Sequence, residues 1–313
     1  MNDLLKPPEE NFTALMEFIL LGFSDVPHLR WVLFGLFFLI YTMILFGNGT
    51  ILLITKIDPA LQTPMYFFLG NFSLLEICYV SVTLPRMLID LVTQRRTISF
   101  IACATQMCCI LILGAIECFL LAVMAYDRYV AICNPLHYPL IMNHKLCTQL
   151  LIGSWLSGIP FQVGQTLQIF SLPFCSSNQI NHFFCDIPPL LSLACGDIFV
   201  NEMMVYIAAV LLVLVPFLLI LISYGKIIST ILKLPSTASQ AKAFSTCSSH
   251  LAVVGLFFGS AIITYLRPSN SYSSGTDKVL SLFYTIVTPL FNPMVYSLRN
   301  KDVIMALRKF LCK

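Results

Sequence analysis

Residues 124–133 read MAYDRYVAIC and place an acidic and a basic residue, Asp127 and Arg128, at the end of the long apolar segment Ile98–Met124. A charge pair in the middle of a bilayer is costly, whereas a pair at the boundary with water can act as a switch. The stretch therefore predicts that a membrane-spanning helix ends here and that its charged end carries part of the function.

The composition independently indicates a membrane protein. Hydrophobic residues make up 58% of the 313-residue chain and charged residues only 11%. Soluble domains carry roughly 25% charged residues. A soluble core of this length needs a polar surface, and this sequence does not supply one.

Seven segments are long and apolar enough to cross a bilayer as helices, which takes about 20 residues. They are residues 30–55, 62–84, 98–126, 146–169, 199–225, 244–266 and 277–298. No internal repeat or second domain is evident. We therefore predict an all-α membrane protein, a seven-transmembrane helix bundle, with an N-terminal segment 1–29, a membrane domain 30–298 and a C-terminal tail 299–313.

Basic residues and one sequon predict an extracellular N-terminus. In that orientation eleven Lys and Arg residues lie on the inner side and seven on the outer side, as the positive-inside rule requires. Asn11, in Asn-Phe-Thr, is then a candidate for glycosylation. The first apolar run is too long for a signal peptide, so we expect it to remain as an anchor.

Four cysteines fall on the predicted outer side. Cys103 opens the third span, and Cys175, Cys185 and Cys195 lie in the long connection 171–198. Four cysteines allow three pairings, which the sequence alone leaves open. Free thiols or a zinc site are the alternative.

The chain resembles the odorant receptors, a branch of the rhodopsin-like G-protein-coupled receptors. Residues 124–138 resemble the end of the third helix of that family, and residues 242–251 (KAFSTCSSHL) the inner end of the sixth. Residues 288–300 (TPLFNPMVYSLRN) resemble the seventh helix, and residues 64–69 (PMYFFL) the start of the second. The resemblance covers nearly the whole chain, from Asn11 to about Lys309.

The resemblance implies a plasma-membrane receptor that activates a stimulatory, olfactory-type heterotrimeric G protein. It also implies two disulfides, Cys103–Cys185 and Cys175–Cys195. The residues implied to couple to the G protein and to switch the receptor lie near the inner face: Asp127, Arg128, Tyr129, Tyr224, His250, Asn292, Pro293 and Tyr296. In the alternative interpretation, the Asp-Arg pair only sets the depth of the helix in the membrane.

By the same resemblance, the ligand pocket lies between the outer halves of spans three, five, six and seven. The residues implied to line it are nearly all apolar: Met107, Ile110, Leu111, Gly114, Ala115, Val205, Ala208, Phe258, Ala261, Ile262, Tyr265, Leu282 and Thr285. Ile110 stands where amine receptors carry an Asp, and Ile286 where opsins carry the retinal-binding Lys. We therefore expect a small, mostly apolar volatile ligand, oriented by Tyr265 or Thr285. Phe258 departs from the family, which more often has a Tyr there.

Two carboxylates, Glu76 and Glu117, lie deepest in the apolar spans. A buried carboxylate is costly unless it is protonated or meets a cation. By resemblance, Glu76 occupies the acidic position of the second helix, and Glu117 lies near the same depth. The pair is a candidate sodium site, and two neutral, hydrogen-bonded acids are the alternative. No other cofactor is expected.

The tail 300–311 spaces Val303, Ile304, Leu307, Phe310 and Leu311 along one helical face, with basic residues beside them. This pattern predicts a short amphipathic helix on the inner leaflet, attracted to anionic membrane lipid. The neighbouring Cys312 is a candidate for palmitoylation. A frayed tail with an unmodified thiol is the alternative.

Three classes of function compete for a chain of this kind. An odorant receptor is favoured, with a receptor for another small lipophilic ligand as its nearest alternative. A transporter or channel usually shows repeated halves or charge-lined spans, and neither is visible. A membrane enzyme is disfavoured because no His-Glu-x-x-His or Gly-x-Ser-x-Gly motif occurs. Nothing in the sequence indicates a nucleic-acid partner.

Overall fold

The structure is a computed structural model that describes residues 17–24, 26–175, 177–233, 235–265, 274–298 and 301–311. Seven long helical rods form a bundle within these residues, which confirms the predicted seven-helix fold. The first four rods are α1 (Arg30–Ile57), α2 (Pro64–Thr93), α3 (Phe100–Cys133) and α5 (His144–Phe170). The short helix α4 (Tyr138–Ile141) lies between α3 and α5, and α6 (Ile187–Leu191) lies in the long loop that follows α5. The end of the bundle that carries this loop is named the outer end, and the opposite end the inner end, after the predicted orientation.

The fifth and seventh rods each contain a π-helical turn. The fifth joins α7 (Phe199–Ala209) to α8 (Val215–Ile231) through the π-helical residues Val210–Leu214. The sixth is α9 (Thr237–Tyr265). The seventh joins α10 (Ser274–Leu282) to α11 (Thr288–Leu298) through Phe283–Val287. Such turns are rare and often lie at functional sites.

Six of the seven rods in the described part of the chain are both long and apolar enough to cross a bilayer. The exception is α5, whose 27 residues are sufficient in length. Helix α5 carries four glutamines, Gln149, Gln162, Gln165 and Gln168, which add to its polarity. Gln162 and Gln165 are buried inside the bundle, so these two polar side chains face the interior of the protein and not the lipid.

The helices extend beyond the apolar segments that predict them. The second span, predicted to end at residue 84, continues as α2 to Thr93 with Pro85 inside it. Arg86 and Asp90, one helical turn apart, form a salt bridge of 3.0 Å in this extension. Hydropathy marks only the part of a helix that lies in lipid. It therefore does not mark where a helix ends when the hydrogen-bonded backbone continues past the most apolar part of the segment.

Helix α3 is the centre of the bundle and packs against α2, α5, α8 and α9. Ile116, Leu120, Leu121 and Ala125 of α3 are fully buried. By contrast α1 exposes large apolar side chains, among them Phe46 at 76%. An apolar outer surface on a helix of this length is the pattern that a lipid environment stabilises.

The outer end carries a small sheet that the all-α prediction left out. Strand β1 (Glu17–Leu20) pairs antiparallel with β2 (Thr97–Ser99) and parallel with β3 (Gln179–Ile180). The fully buried ring of Phe18 lies 6.0 Å from the ring of Phe100 and 5.4 Å from that of Phe174, centroid to centroid. The sheet thus ties the N-terminal segment to the first and second outer loops.

The tail forms the predicted helix, α12 (Lys301–Leu311), which follows α11 at the inner end. Val303 is fully buried and Ala306 is 6% exposed, whereas Met305 is 59% exposed. One face of α12 therefore packs on the bundle, against α1 and α11. The Nζ of Lys309 lies 3.6 Å from Oδ2 of Asp58, which follows α1. Cys312 lies outside the described residues, as does Asn11.

Candidate functional site

A chamber in the outer half of the bundle encloses about 670 Å³ of space that protein atoms do not fill, part of it open to solvent. Its walls come from α2, α3, α5, the fifth and sixth rods and the seventh rod. The lining residues are Tyr79, Ile110, Leu111, Gly114, Ala115, Cys118, Gln162, Gln165, Ile187, Val205, Ala208, Ala209, Leu212, Val213, Phe257, Ala261 and Tyr284. None of these described residues carries a charge, so the chamber suits a neutral ligand.

The second outer loop covers the chamber through Ile187, which lines it. The disulfide Cys103–Cys185 joins this loop to α3, with the two Cα atoms 5.5 Å apart. Next to it, Asp186 accepts a 2.9 Å hydrogen bond from the hydroxyl of Tyr284, whose ring lines the chamber. The loop is therefore fastened to the third and seventh rods directly above the cavity.

A second disulfide, Cys175–Cys195, closes a hairpin within the same loop, with a sequence separation of 20 residues. Both predicted pairings are thus present in the structure. The backbone N–H of Cys195 also donates to the carbonyl of Pro173 at 2.9 Å. Since α6 lies within the hairpin, the second bond fixes the shape of the segment that covers the chamber.

Seven of the predicted ligand-binding residues line the chamber: Ile110, Leu111, Gly114, Ala115, Val205, Ala208 and Ala261. Met107, Phe258 and Thr285 are buried elsewhere, and Ile262 and Leu282 pack on the core without lining the chamber. Phe258 packs on Phe217 with ring centroids 5.2 Å apart, and its neighbour Phe257 faces the chamber instead. Adjacent helical residues point about 100° apart, so an alignment shifted by one residue selects the wrong neighbour. The side chain of Tyr265 lies outside the described part of the chain.

The prediction missed the whole contribution of α2 and α5. Tyr79 of α2 and the two α5 glutamines, Gln162 and Gln165, line the chamber. The signal for the glutamines was present: two amides three residues apart, on one helical face, inside a span. Gly158, one turn before Gln162, allows α5 to approach α3, because a Cβ there would lie 2.8 Å from the Cβ of Ala115.

A buried polar cluster lies below the chamber. Asn292 donates from its side-chain amide to Oε1 of Glu76. Glu117 lies within hydrogen-bonding reach of Glu76. Three oxygens of this cluster, Glu76 Oε2, Glu117 Oε1 and Asn292 Oδ1, have no hydrogen-bond partner in the described structure. No group of three or more His, Cys, Asp or Glu suited to a metal is found in the described residues.

The inner end of α3 is joined to the inner loop that follows it. The hydroxyl of Tyr138 donates a 2.8 Å hydrogen bond to Oδ1 of Asp127, which is 2% exposed. Burial, and then the nearby Asp127, raise the pKa of Tyr138, so the phenol remains a donor at physiological pH. Arg128 is partly exposed at the same helix end, beside this pair.

Tyr224 of α8 bonds to His250 of α9, with 2.9 Å between the hydroxyl and Nδ1. Both side chains are buried and close enough to Arg128 to interact electrostatically with it. The structure therefore brings together the predicted switch residues of three rods at the inner face. Tyr129 is partly buried nearby, and the side chain of Tyr296 lies outside the described residues.

Pro293 lies within α11, where this helix of the seventh rod packs against α1. A Cβ on Gly47 would lie 3.2 Å from the ring of Pro293, so the absence of a side chain at Gly47 permits this close approach. Asn292, the neighbour of Pro293, is the residue that binds Glu76. The seventh rod thus contacts both the first and second rods at the depth of the acidic cluster.

Comparison with known proteins gives the relatives of this chain. A sequence model of the family described as "Olfactory receptor" matches residues 37–313. The chain is 65% identical to olfactory receptor 10AG1 of Homo sapiens over 298 residues, which cover 95% of this chain and 99% of that protein. It is 52% identical to olfactory receptor 10A7 of Homo sapiens over 300 residues, covering 96% of this chain and 95% of that protein. The chain therefore belongs to the olfactory receptor family, whose members are G-protein-coupled odorant receptors and not enzymes.

Proposed function

We propose that this receptor binds a small, neutral, mostly apolar volatile odorant in the outer chamber and activates a stimulatory, olfactory-type heterotrimeric G protein. The observation that carries the proposal is the chamber itself, which has apolar walls and no charged residue among its described lining. Such a cavity stabilises an apolar ligand by removing its surface from water. It would leave an ammonium or a carboxylate without a partner.

The route from the chamber to the G protein is helix α3. Ile110, Gly114 and Cys118 line the chamber, and the same helix carries Asp127 and Arg128 in its last two turns, before it ends at Cys133. A ligand that binds one arrangement of the rods more tightly than another shifts the population toward it. In this proposal the shift changes the contacts of the inner face and presents Arg128 to the G protein.

The receptor is proposed to lie in the plasma membrane with its N-terminus extracellular. Both disulfides are at the end of the bundle that carries β1, which supports the proposal that this end faces the oxidising side of the membrane. The sequon at Asn11 would face the same side.

The acidic cluster is proposed to hold a sodium ion in the inactive receptor. Its three unpartnered oxygens belong to two carboxylates and one amide, and oxygen atoms of these kinds are the ligands that hard cations take. The cation would offset the cost of burying two acids at one place. Two neutral acids that are hydrogen-bonded to Ser hydroxyls and Asn amides remain the alternative.

The tail is proposed to rest on membrane lipid. Arg308 and Lys309 are exposed on α12 and would be drawn to anionic headgroups. Palmitoylation of Cys312 would add a second attachment to the inner leaflet.

The function is tested in cells that express the receptor with or without the olfactory-type stimulatory Gα subunit. Cyclic AMP should rise with odorant dose only when that subunit is present, and the purified receptor should accelerate nucleotide exchange on it. An odorant response that persists without the subunit, or that appears as an ion current through the receptor itself, would contradict the proposal.

A further inference from the structure

The chamber contains two amide side chains that the protein does not satisfy. Gln162 is 5% exposed and Gln165 is 2% exposed, and both line the cavity. Within the described structure, Oε1 of Gln162 and both Oε1 and Nε2 of Gln165 have no hydrogen-bond partner. A buried polar group without a partner is destabilising, so this arrangement points to an occupant that provides the missing bonds.

The position of these amides is built into the fold. Gly158 brings α5 against α3, and Gln162 follows one turn later on the same face. Thr166, the next polar residue, is already satisfied, because its hydroxyl donates to the Gln162 carbonyl at 2.8 Å. Across the cavity, the hydroxyl of Tyr284 is bonded to Asp186. Among the described lining residues, the two amides thus present buried polar atoms without a protein partner that are left to meet a ligand.

The unpartnered atoms define the chemistry of that ligand. Two of them, the Oε1 atoms, can only accept a hydrogen bond, and Nε2 of Gln165 can only donate. Rotation of the Gln165 amide exchanges its two atoms without changing this count. A ketone, ester or ether oxygen can only accept, so it would leave both Oε1 atoms unpaired. A hydroxyl both donates and accepts.

We infer that Gln162 and Gln165 recognise the hydroxyl group of the odorant, and that the receptor is selective for neutral alcohols over ethers and hydrocarbons of the same size. This inference rests on the proposed function, since it names the chemical class of the ligand in the same chamber. The hydroxyl donates to Oε1 of one glutamine and accepts from Nε2 of Gln165, while the carbon skeleton packs on the apolar wall.

The test uses matched trios of probes on linear and aromatic skeletons. Octanol, heptyl methyl ether and nonane form a linear trio, and phenylethanol, benzyl methyl ether and propylbenzene an aromatic one. Binding is measured as the rise in unfolding temperature of the purified receptor in nanodiscs, because a ligand stabilises the state it binds. Signalling is measured separately as cyclic AMP.

Three variants separate recognition from packing. Gln165→Met and Gln162→Met keep the length of the side chain and remove the amide. Gln168→Met makes the same change on the same helix at a residue that does not line the chamber. We expect Gln165→Met to weaken alcohol binding about tenfold, equivalent to about 1.4 kcal/mol, and to leave ether and hydrocarbon binding unchanged. Gln162→Met provides the same comparison if Gln165→Met does not fold.

The outcomes distinguish the inference from the proposed function. If ethers and hydrocarbons stabilise the receptor as well as alcohols do, or if no alcohol stabilises it, the inference fails. It also fails if Gln165→Met weakens all three members of a trio alike, since that result would indicate a structural role. If alcohols bind selectively but do not raise cyclic AMP, recognition by the glutamines stands and the proposed signalling fails.

Discussion

The hydroxyl of Tyr138 donates a 2.8 Å hydrogen bond to Asp127, and this bond joins the short helix α4 to the end of α3. Asp127 is 2% exposed and lies next to Arg128, the residue that we expect to meet the G protein. The bond therefore gives the inner loop a direct influence on the charge pair of α3. A hydrogen bond to a charged group is worth about 1.5–3 kcal/mol, which is enough to bias a two-state switch.

Tyr138→Phe should raise basal cyclic AMP, because it removes the donor that holds Asp127 and leaves the ring in place. If the bond differs between the two states by about 1 kcal/mol, basal activity rises about fivefold. Tyr126→Phe, at an exposed tyrosine of the same helix end, is the matched control and should change nothing. Unaltered basal activity in Tyr138→Phe would show that the bond does not favour the inactive state.

Arg128→Ala should abolish activation of the G protein while leaving surface expression largely intact. The guanidinium supplies several donors in a fixed geometry at the helix end, and alanine supplies none. Because Arg128 is partly exposed, its removal leaves no cavity in the core. Cyclic AMP and cell-surface labelling should be measured together. A normal cyclic-AMP response in this variant refutes the assigned role.

Glu76→Gln and Glu117→Gln should each remove the dependence of signalling on sodium. A glutamine amide cannot supply the negative charge that a cation requires at a buried site. Basal and odorant-evoked cyclic AMP would be titrated against sodium in membrane preparations. Glu202→Gln, at the outer end of α7, is the control and should titrate as the unchanged receptor does. Identical titrations for all four proteins would leave the two acids neutral and hydrogen-bonded.

Gly158→Ala should lower thermal stability and odorant affinity together. The added methyl group would lie 2.8 Å from the Cβ of Ala115, so α5 must move away from α3 and take Gln162 with it. Gly164→Ala is the matched control, since a Cβ at Gly164 meets nothing within 4 Å. In a helix that change alone stabilises by roughly 0.5–1 kcal/mol. The prediction is wrong if both variants become more stable.

The tail helix should be held by packing more than by charge. Val303→Ala removes a fully buried side chain and should expose α12 to hydrogen exchange in nanodiscs, with a loss of about 1–3 kcal/mol. Lys309→Met breaks the ion pair with Asp58, and because Lys309 is largely exposed this should cost less than about 1 kcal/mol. Equal protection of α12 in both variants would contradict this ranking.

Palmitoylation of Cys312 is a separate prediction. Intact mass of receptor from mammalian cells should show an acyl adduct that Cys312→Ser removes and that Cys78→Ser, within the second rod, leaves in place. A mass without any adduct at Cys312 would remove the lipid attachment without affecting the helix.

The sequence predicted the helical rods of the bundle well because their signals are local. Long apolar runs define the rods, although α3 continues to Cys133, five residues past the Asp127–Arg128 pair at which its end was predicted, because a helix can extend beyond the lipid while its backbone stays hydrogen-bonded. The three-stranded sheet was not foreseen, because its strands have four residues or fewer and are paired across the chain. No local period distinguishes such short segments from loop.

The chamber was predicted only in part because its walls depend on how rods rotate and approach one another. The sequence around Tyr79 does not indicate that this residue lines a cavity. Its position in the wall follows from the packing of α2 beside α3 and the seventh rod. Gln162 and Gln165 face inward only because α5 contacts α3 closely at Gly158. The spacing of the two amides was visible in the sequence, but which rod their face of α5 meets is a relation between rods that a single sequence does not contain.

The two π-helical turns make the outer walls of the chamber adjustable without disturbing the inner face. Each turn, at Val210–Leu214 and Phe283–Val287, holds one residue more than an α-helical turn would. Deleting one residue from such a turn would rotate the outer helix by about 100° relative to the inner one. A different set of side chains would then face the odorant, while Tyr224 or Asn292, on the inner helix of the same rod, would keep its position. Repertoires of receptors can therefore diversify at one end of a rod through insertion and deletion, and not only through substitution.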